Sequence, residues 1–413
     1  MPRLVFDVRA NHDTGVSRYG LSLLAPAAGE LVEAGWRIDV VVNPDQADRA
    51  RRAVDGPERQ AEVHVAAEDG GFVRSSHHVR ALASRADLYY TSHYLLDRLC
   101  PVPFIVTIHD VTRLRWPHLS YTDASFAARF GRTELDTVRR ELAALDRWQN
   151  QRFAGHGAFT RYFAAVNQFL IARAERVLTV SHSTADELGR CLGLPSGGIT
   201  IVPGGVDTAV FHRRSTTEVD AVRYLLRLHG PFLVFVGLAH PNKRFDWLVE
   251  HLLAARTRMP AGARLVAVGG HAEKVDAVRR RLTEAGAEDF VVFTGRVTDD
   301  QLAALYSGAA ALISASISEG YGLPVQEALS CGCEAVVADL PVNRETSGRA
   351  AHRYPHHCGS ALADLACAAL HGSLERRGLL HSPPSWRDAG HALARVLADV
   401  HRYSPRQYER IRA

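Results

Sequence analysis

The sequence predicts an α/β chain built from two doubly wound parallel sheets. Three observations carry this. Short β-branched, apolar runs recur along the chain and each is followed by a segment with helical spacing, the pattern of parallel strands covered on both faces. The alternation occurs in two series, separated by the turn Pro203-Gly204-Gly205 and a polar stretch at Asp207–Asp220. The length, 413 residues, suits two or three domains of roughly 150 residues each.

In the first series the runs predict strands at Leu4–Val8, Arg37–Val42, Leu88–Thr91, Phe104–Ile108, Arg176–Val180 and Thr200–Val202. In the second they predict strands at Phe232–Val236, Ala263–Val268, Phe290–Phe293, Ala311–Ser314 and Glu334–Val337. The rhythm stops between Tyr121 and Leu170, where Leu135, Val138, Leu142 and Leu145 recur at helical spacing and Phe153, Phe159, Phe163 and Phe169 crowd a second stretch. This reads as a helical insertion, 121–170, packed on the first domain. The sharper alternatives are a cap on one side of a binding site, or a surface touching lipid or a partner subunit.

Composition excludes several classes. With 46% apolar and 23% charged residues the chain is ordinary globular protein. No apolar run approaches the ~20 residues of a membrane span, and Asp7 follows too soon for Met1–Phe6 to open a secretory hydrophobic region. A soluble, cytoplasmic protein is expected. Net charge is +4 and dispersed, without the basic face of a nucleic-acid binder. Of 49 basic residues only Lys243 and Lys274 are lysine, which singles both out. Six cysteines in a chain of this length make no disulfide scaffold. Cys331-Gly332-Cys333, with His356, His357 and Cys358 further on, lacks a second closely spaced pair, so free thiols and no metal are expected.

Ligands of such sheets lie beyond the carboxyl ends of the strands, so the strand-to-helix junctions hold the chemistry. After the first strand, Gly15 and Gly20 have P-loop separation, but Leu21 stands where the lysine would be. Triphosphatase chemistry is disfavoured, yet a glycine at this turn lets a backbone amide approach a phosphate. The dinucleotide glycine fingerprint is absent after every expected strand. Phe104–Ile108 runs into His109-Asp110, where Asp110 could orient His109 or raise its pKa. Phe232–Val236 leads through Gly237 and Leu238 to Lys243-Arg244, two adjacent cations that suit a diphosphate.

The most informative stretch is Ser314–Ala328. A buried strand opens into a glycine-containing loop, Pro324 fits the first helical turn, and the amides of Gly320, Tyr321, Gly322 and Leu323 precede the helix as an anion cradle. Glu327 is read as lying in the first turn, where the macrodipole favours a carboxylate in any case. Glu319 has no such explanation. Two carboxylates flanking an amide-rich turn suit hydroxyl groups on either side of a diphosphate.

With these residues in hand the chain resembles the retaining family-4 glycosyltransferases of the GT-B fold, the group 1 glycosyl transferases. Glu319 and Glu327 reproduce the E-x7-E motif within Glu319-Gly320-Tyr321-Gly322-Leu323-Pro324 and Glu327-Ala328-Leu329-Ser330-Cys331-Gly332. Supporting matches are Thr107-Ile108-His109-Asp110, Val180-Ser181-His182-Ser183, Val202–Asp207 and Gly295-Arg296-Val297. The resemblance implies two Rossmann-like domains facing across a cleft. Residues 1–207 would form the acceptor-binding domain, 208–385 the nucleotide-sugar domain, and 386–413 a helix returning to the first.

The resemblance further implies site roles. Gly15 would offer an amide to the donor phosphate and His109 would contact the transferred sugar. Lys243, helped by Arg244, would neutralise the leaving diphosphate. Glu319 would hold sugar hydroxyls and Glu327 the ribose hydroxyls, with Val297 against the base. The sequence departs from the family at Leu238, where many members carry arginine. The implied activity is metal-independent transfer of a hexose-type sugar from a UDP- or GDP-sugar to a glycan, lipid-linked or small-molecule acceptor. No nucleic-acid partner is expected, peripheral contact with the inner membrane face is compatible with such acceptors, and the oligomeric state is not fixed. Two other readings suit the architecture: a nucleotide-sugar epimerase, which needs no second acceptor, and a catalytically silent binding module.

Overall fold

The computed structural model describes residues 1–10, 15–55, 60–66, 77–94, 96, 98–193, 198–237, 240–269, 272–378 and 382–403. The chain divides into two compact units, Met1–Gly205 with Trp386–Ala413, and Val206–Ser385.

The first unit contains strands β1 (Arg3–Asp7), β2 (Arg37–Val42), β3 (Ala61–Val65), β4 (Leu88–Thr91), β5 (Phe104–Ile108), β6 (Arg176–Thr179) and β7 (Ile199–Ile201). They form one parallel sheet in the order β3-β2-β1-β4-β5-β6-β7. β3 was not legible as a strand: it lies at the sheet edge, and Glu62 and His64 break the apolar run that a doubly covered strand would show. Between β5 and β6 the chain is helical, with helices at Asp123–Phe130, Arg132–Ala144 and Ala158–Arg173. Their apolar stripe (Phe126, Leu135, Val138, Leu142, Phe159, Phe163) joins Val5, Val106 and Ile108 of the sheet in one core. The insertion is therefore packed on the first unit, as its heptad-like spacing predicts.

The terminal helix Trp386–Tyr403 also belongs to this unit. Its buried side chains Ala389, Leu393, Ala394, Leu397 and Val400 fall on one face. That face meets helix Gly15–Glu33, with His391 Nδ1 against Glu30 and Gly390 against Pro26.

The second unit contains β8 (Phe232–Val236), β9 (Arg264–Val268), β10 (Val291–Gly295), β11 (Ala311–Ser314), β12 (Ala335–Ala338) and β13 (Ala351–Tyr354), parallel in the order β10-β9-β8-β11-β12-β13. Alternate residues feed opposite cores: Leu233, Phe235, Leu265 and Ala267 on one face, Phe232, Val234, Val266 and Val268 on the other. β13, again an edge strand, carries exposed Arg353 and went unrecognised for the same reason as β3. The unit begins at Val206 because its amide donates to Pro384 (3.0 Å) and its side chain enters the core beside Phe211.

All six cysteines are free. Cys331 and Cys333 are buried in the second core, and burial pushes the Cys331 thiol up to about 12 and Cys333 higher still. No helix among the described residues is long and apolar enough to cross a membrane.

Candidate active site

In the second unit Lys243, Arg244 and the Glu319–Leu323 segment follow the carboxyl ends of β8 and β11, which are hydrogen-bonded neighbours. β8 ends at Gly237, whose φ of +101° is open to glycine, and the Lys243 stem crosses above it: a Cβ there would lie 3.4 Å from Lys243 Cε. Lys243 closes a short 3-10 turn, Pro241–Lys243. Its Nζ reaches Glu319 Oε1, and Ser316 Oγ donates to the same oxygen at 2.6 Å. Both charged side chains are mostly buried. Lys243, Ser316, Glu319, Gly322 and Pro324 line one cavity, floored by Phe235 and Leu312.

The loop from Glu319 ends at Gly322, the N-cap of helix Leu323–Ser330, with φ +83° and Pro324 in the first turn. The left-handed cap turns the chain so that the preceding amides sit at the positive end of the helix dipole. Glu327 does not lie in the first turn. It is the fifth residue of that helix and is buried, so the dipole accounts for it less well than the sequence suggested. Val297, two residues beyond β10, is half-buried against the second core.

Two loops are stitched together here. Ile317 N donates to Asn242 O (3.0 Å), and Asn242 Nδ2 donates to Ser318 O (2.9 Å). Arg244 Nε donates to Ala315 O at 2.9 Å and Nη2 to His356 O at 2.5 Å. Its guanidinium lies 4.0 Å from the Trp247 ring centroid. Those two donors are engaged by backbone carbonyls. Leu238 lies outside the described residues.

In the first unit, Gly15 opens helix Gly15–Glu33 beyond β1; Asn11–Thr14 lie outside the described residues. His109 follows β5. Its Nε2–H donates to Ser92 O at 2.7 Å, its ring meets Tyr19 edge-on at 4.8 Å, and its carbonyl accepts from Thr184 Oγ1 at 3.3 Å. Asp110 was expected to orient His109 or raise its pKa. Its charge does act upward, but burial outweighs it and the net shift is downward, while Asp110 Oδ1 caps the next turn by accepting from Thr112 N at 2.9 Å. A neutral imidazole with Nε2 protonated presents Nδ1 as an acceptor, suited to a hydroxyl. Tyr19 OH donates to Val202 O at 2.9 Å, and its ring lies 5.9 Å from Trp386, so three sequence-distant segments set the His109 ring.

Sequence reasoning gave no role to Ser316, Asn242, Tyr19 or Ser92. Ser316 was findable, standing three residues before Glu319 in a loop. Ser92 acts through its carbonyl, which leaves no side-chain signal.

Two family models match the chain: one described as Glycosyltransferase Family 4 over residues 24–210, and one described as Glycosyl transferases group 1 over residues 230–371. Among curated proteins, a D-inositol 3-phosphate glycosyltransferase of Acidothermus cellulolyticus is 32% identical over 177 residues, 41% of this chain and 39% of that protein. The O-antigen chain mannosyltransferase RfbU of Salmonella typhimurium is 24% identical over 184 residues, 45% of this chain and 48% of that protein. The chain thus spans less than half the length of either relative. Among solved structures, Anabaena HepE in complex with UDP and glucose matches with a TM-score of 0.67 at 15% identity, over 97% of this chain and 100% of that one. The shared fold is GT-B.

Proposed function

The chain belongs to the family-4, group 1 glycosyltransferases, and from that premise we propose that it is a retaining, metal-independent enzyme moving a hexose-type sugar from a UDP- or GDP-sugar to a hydroxyl of a glycan, lipid-linked or small-molecule acceptor. The observation that carries the reading is the grouping of Lys243, Glu319 and the helix cap Gly322 around one cavity at the ends of β8 and β11.

The chemistry follows from charge and position. Breaking the bond between the anomeric carbon and the diphosphate oxygen leaves negative charge on the departing group. Lys243 Nζ and the amides before helix Leu323–Ser330 stabilise that charge as it develops. Glu319 orients sugar hydroxyls and Glu327 the ribose, while Val297 lies against the base. Within the first unit, the Gly15 amide suits a phosphate and His109 Nδ1 suits a sugar hydroxyl as acceptor. The acceptor oxygen bonds to the anomeric carbon on the face the diphosphate leaves, and its proton passes to the departing phosphate oxygen. UDP and glucose bound to HepE support a nucleotide-sugar donor, and the two curated relatives support glycosyl transfer.

The test is incubation with UDP-glucose and GDP-mannose, each with EDTA and a panel of sugar acceptors, following nucleotide release and the anomeric proton signal of the product. Transfer with retained configuration is expected. Absence of both nucleotide release and nucleotide-dependent thermal stabilisation would reject the proposal.

A further inference from the structure

The geometry points to Arg244 as a positioning residue that holds the Glu319 loop in register with Lys243; this rests on the transferase reading above. Arg244 has φ 51° and ψ 46°, and among the described residues it shares positive φ only with Arg227 outside glycine. A side chain in the left-handed region costs free energy, and such strain persists where surrounding contacts over-determine it. Arg227 is an exposed residue just past a helix end, whereas Arg244 is fixed by side-chain hydrogen bonds to two neighbouring loops.

The contacts that fix Arg244 all lead to neighbouring loops. Its Nε holds Ala315 O in the loop after β11, and its Nη2 holds His356 O after β13, while the residue itself belongs to the loop after β8. One planar fork therefore ties three strand-end loops; a lysine ammonium, with its three donors on one nitrogen, cannot reproduce the spacing between Nε and Nη2. Trp247 supports the guanidinium face at 4.0 Å and stacks on Tyr354, whose hydroxyl donates to Ser314 O at 3.1 Å. Ala315 lies four residues before Glu319. The Ile317–Asn242 and Asn242–Ser318 bonds then carry the register along the loop to the Lys243–Glu319 pair. Arg244 touches neither charged group in this chain of contacts; it sets the spacing at which both meet a donor.

The experiment compares Arg244→Gly, which relaxes the backbone, and Arg244→Lys, which keeps the charge. Steady-state transfer from UDP-glucose and GDP-mannose is combined with hydrogen exchange at the Ile317 amide. Both variants are expected to lose kcat by ~10- to 100-fold, the scale of a reacting group displaced by about 1 Å, with donor KM changing less. Ile317 should exchange at least tenfold faster while the rest of the β8–β11 amides keep their protection. Arg244→Gly added to Glu319→Gln should lose little more than Glu319→Gln alone, because both act through one group. Wild-type kcat with an active enzyme, or a fully additive double variant, would overturn the inference and leave the transferase reading standing. An inactive wild type would instead reject that reading, and Ile317 exchange alone then decides: unchanged protection in both variants overturns the clamp.

Discussion

Lys243 on the β8 loop and Glu319 on the β11 loop are each other's counter-charge, and Ser316 donates to the Glu319 oxygen that Lys243 contacts. Their side chains are only 16% and 13% exposed. A pair this sheltered is weakly screened, and removing one member strands the other. The same two groups are the ones a departing diphosphate and its sugar would engage, so stability and activity share a contact.

The first prediction separates the two. Lys243→Ala and Glu319→Ala should each lower kcat by ~100-fold or more, the scale for deleting one preorganised charge-stabilising group. In urea unfolding the double variant should be more stable than the sum of the single losses predicts, with a coupling of about 1–3 kcal/mol. Strictly additive losses in stability would show that the pair is not coupled.

How far the sequence carried this reading depends on where each residue acts. Interior strands such as Phe104–Ile108 and Phe232–Val236 were legible to the residue because both faces are buried and the run is continuously apolar. β3 and β13 were not, since an edge strand tolerates Glu62, His64 or Arg353. Lys243 and Glu319 stood out by rarity and by loop position. The Arg244 contacts were not legible: adjacency in sequence suggests work shared with Lys243, and nothing in the sequence shows that its guanidinium reaches the Ala315 and His356 carbonyls. Asp110 does raise the His109 pKa as the sequence suggests, but sequence shows the neighbouring charge and not the burial that outweighs it.

His109 gives a pH prediction. Burial holds its pKa below the usual 6.5, more strongly than Ser92 O and Asp110 raise it. The unfolded chain therefore takes up a proton near pH 6.5 that the folded chain resists, so the stability this group contributes is complete above 6.5 and is lost as pH falls through the folded value. Wild type should lose more melting temperature between pH 7.5 and 5.5 than His109→Gln does. Parallel losses in the two proteins would contradict the assignment.

Gly322 isolates the amide turn. With φ +83° and its nearest contact to an added Cβ at 3.8 Å (Asn343 Oδ1), an alanine there meets space but the wrong backbone region. Gly322→Ala should cost about 1–2 kcal/mol of stability. It should weaken UDP or GDP binding in calorimetry by tenfold or more, because the turn that presents the amides must shift. Unchanged nucleotide affinity would mean the diphosphate does not use this turn.

The terminal helix supplies the last prediction. A Cβ on Gly390 would stand 2.3 Å from Pro26 Cγ and 2.8 Å from Pro26 Cβ, and neither atom can swing aside because both belong to a ring fixed within helix Gly15–Glu33. The two helices must separate, at a cost of about 1–3 kcal/mol for an overpacked contact. For a unit of this size that amounts to roughly 2–4 °C of melting temperature per kcal/mol. The displacement should reach the site, because Trp386 at the start of the same helix meets Tyr19, and Tyr19 meets His109. Gly390→Ala should therefore lower the melting temperature and also slow turnover at a temperature where the variant is fully folded. Tyr19→Leu, which removes the relay without touching Pro26, should slow turnover comparably. A Gly390→Ala protein as stable as wild type would contradict the tight seating of the helix, and full activity in Tyr19→Leu would show that the His109 ring is held without it.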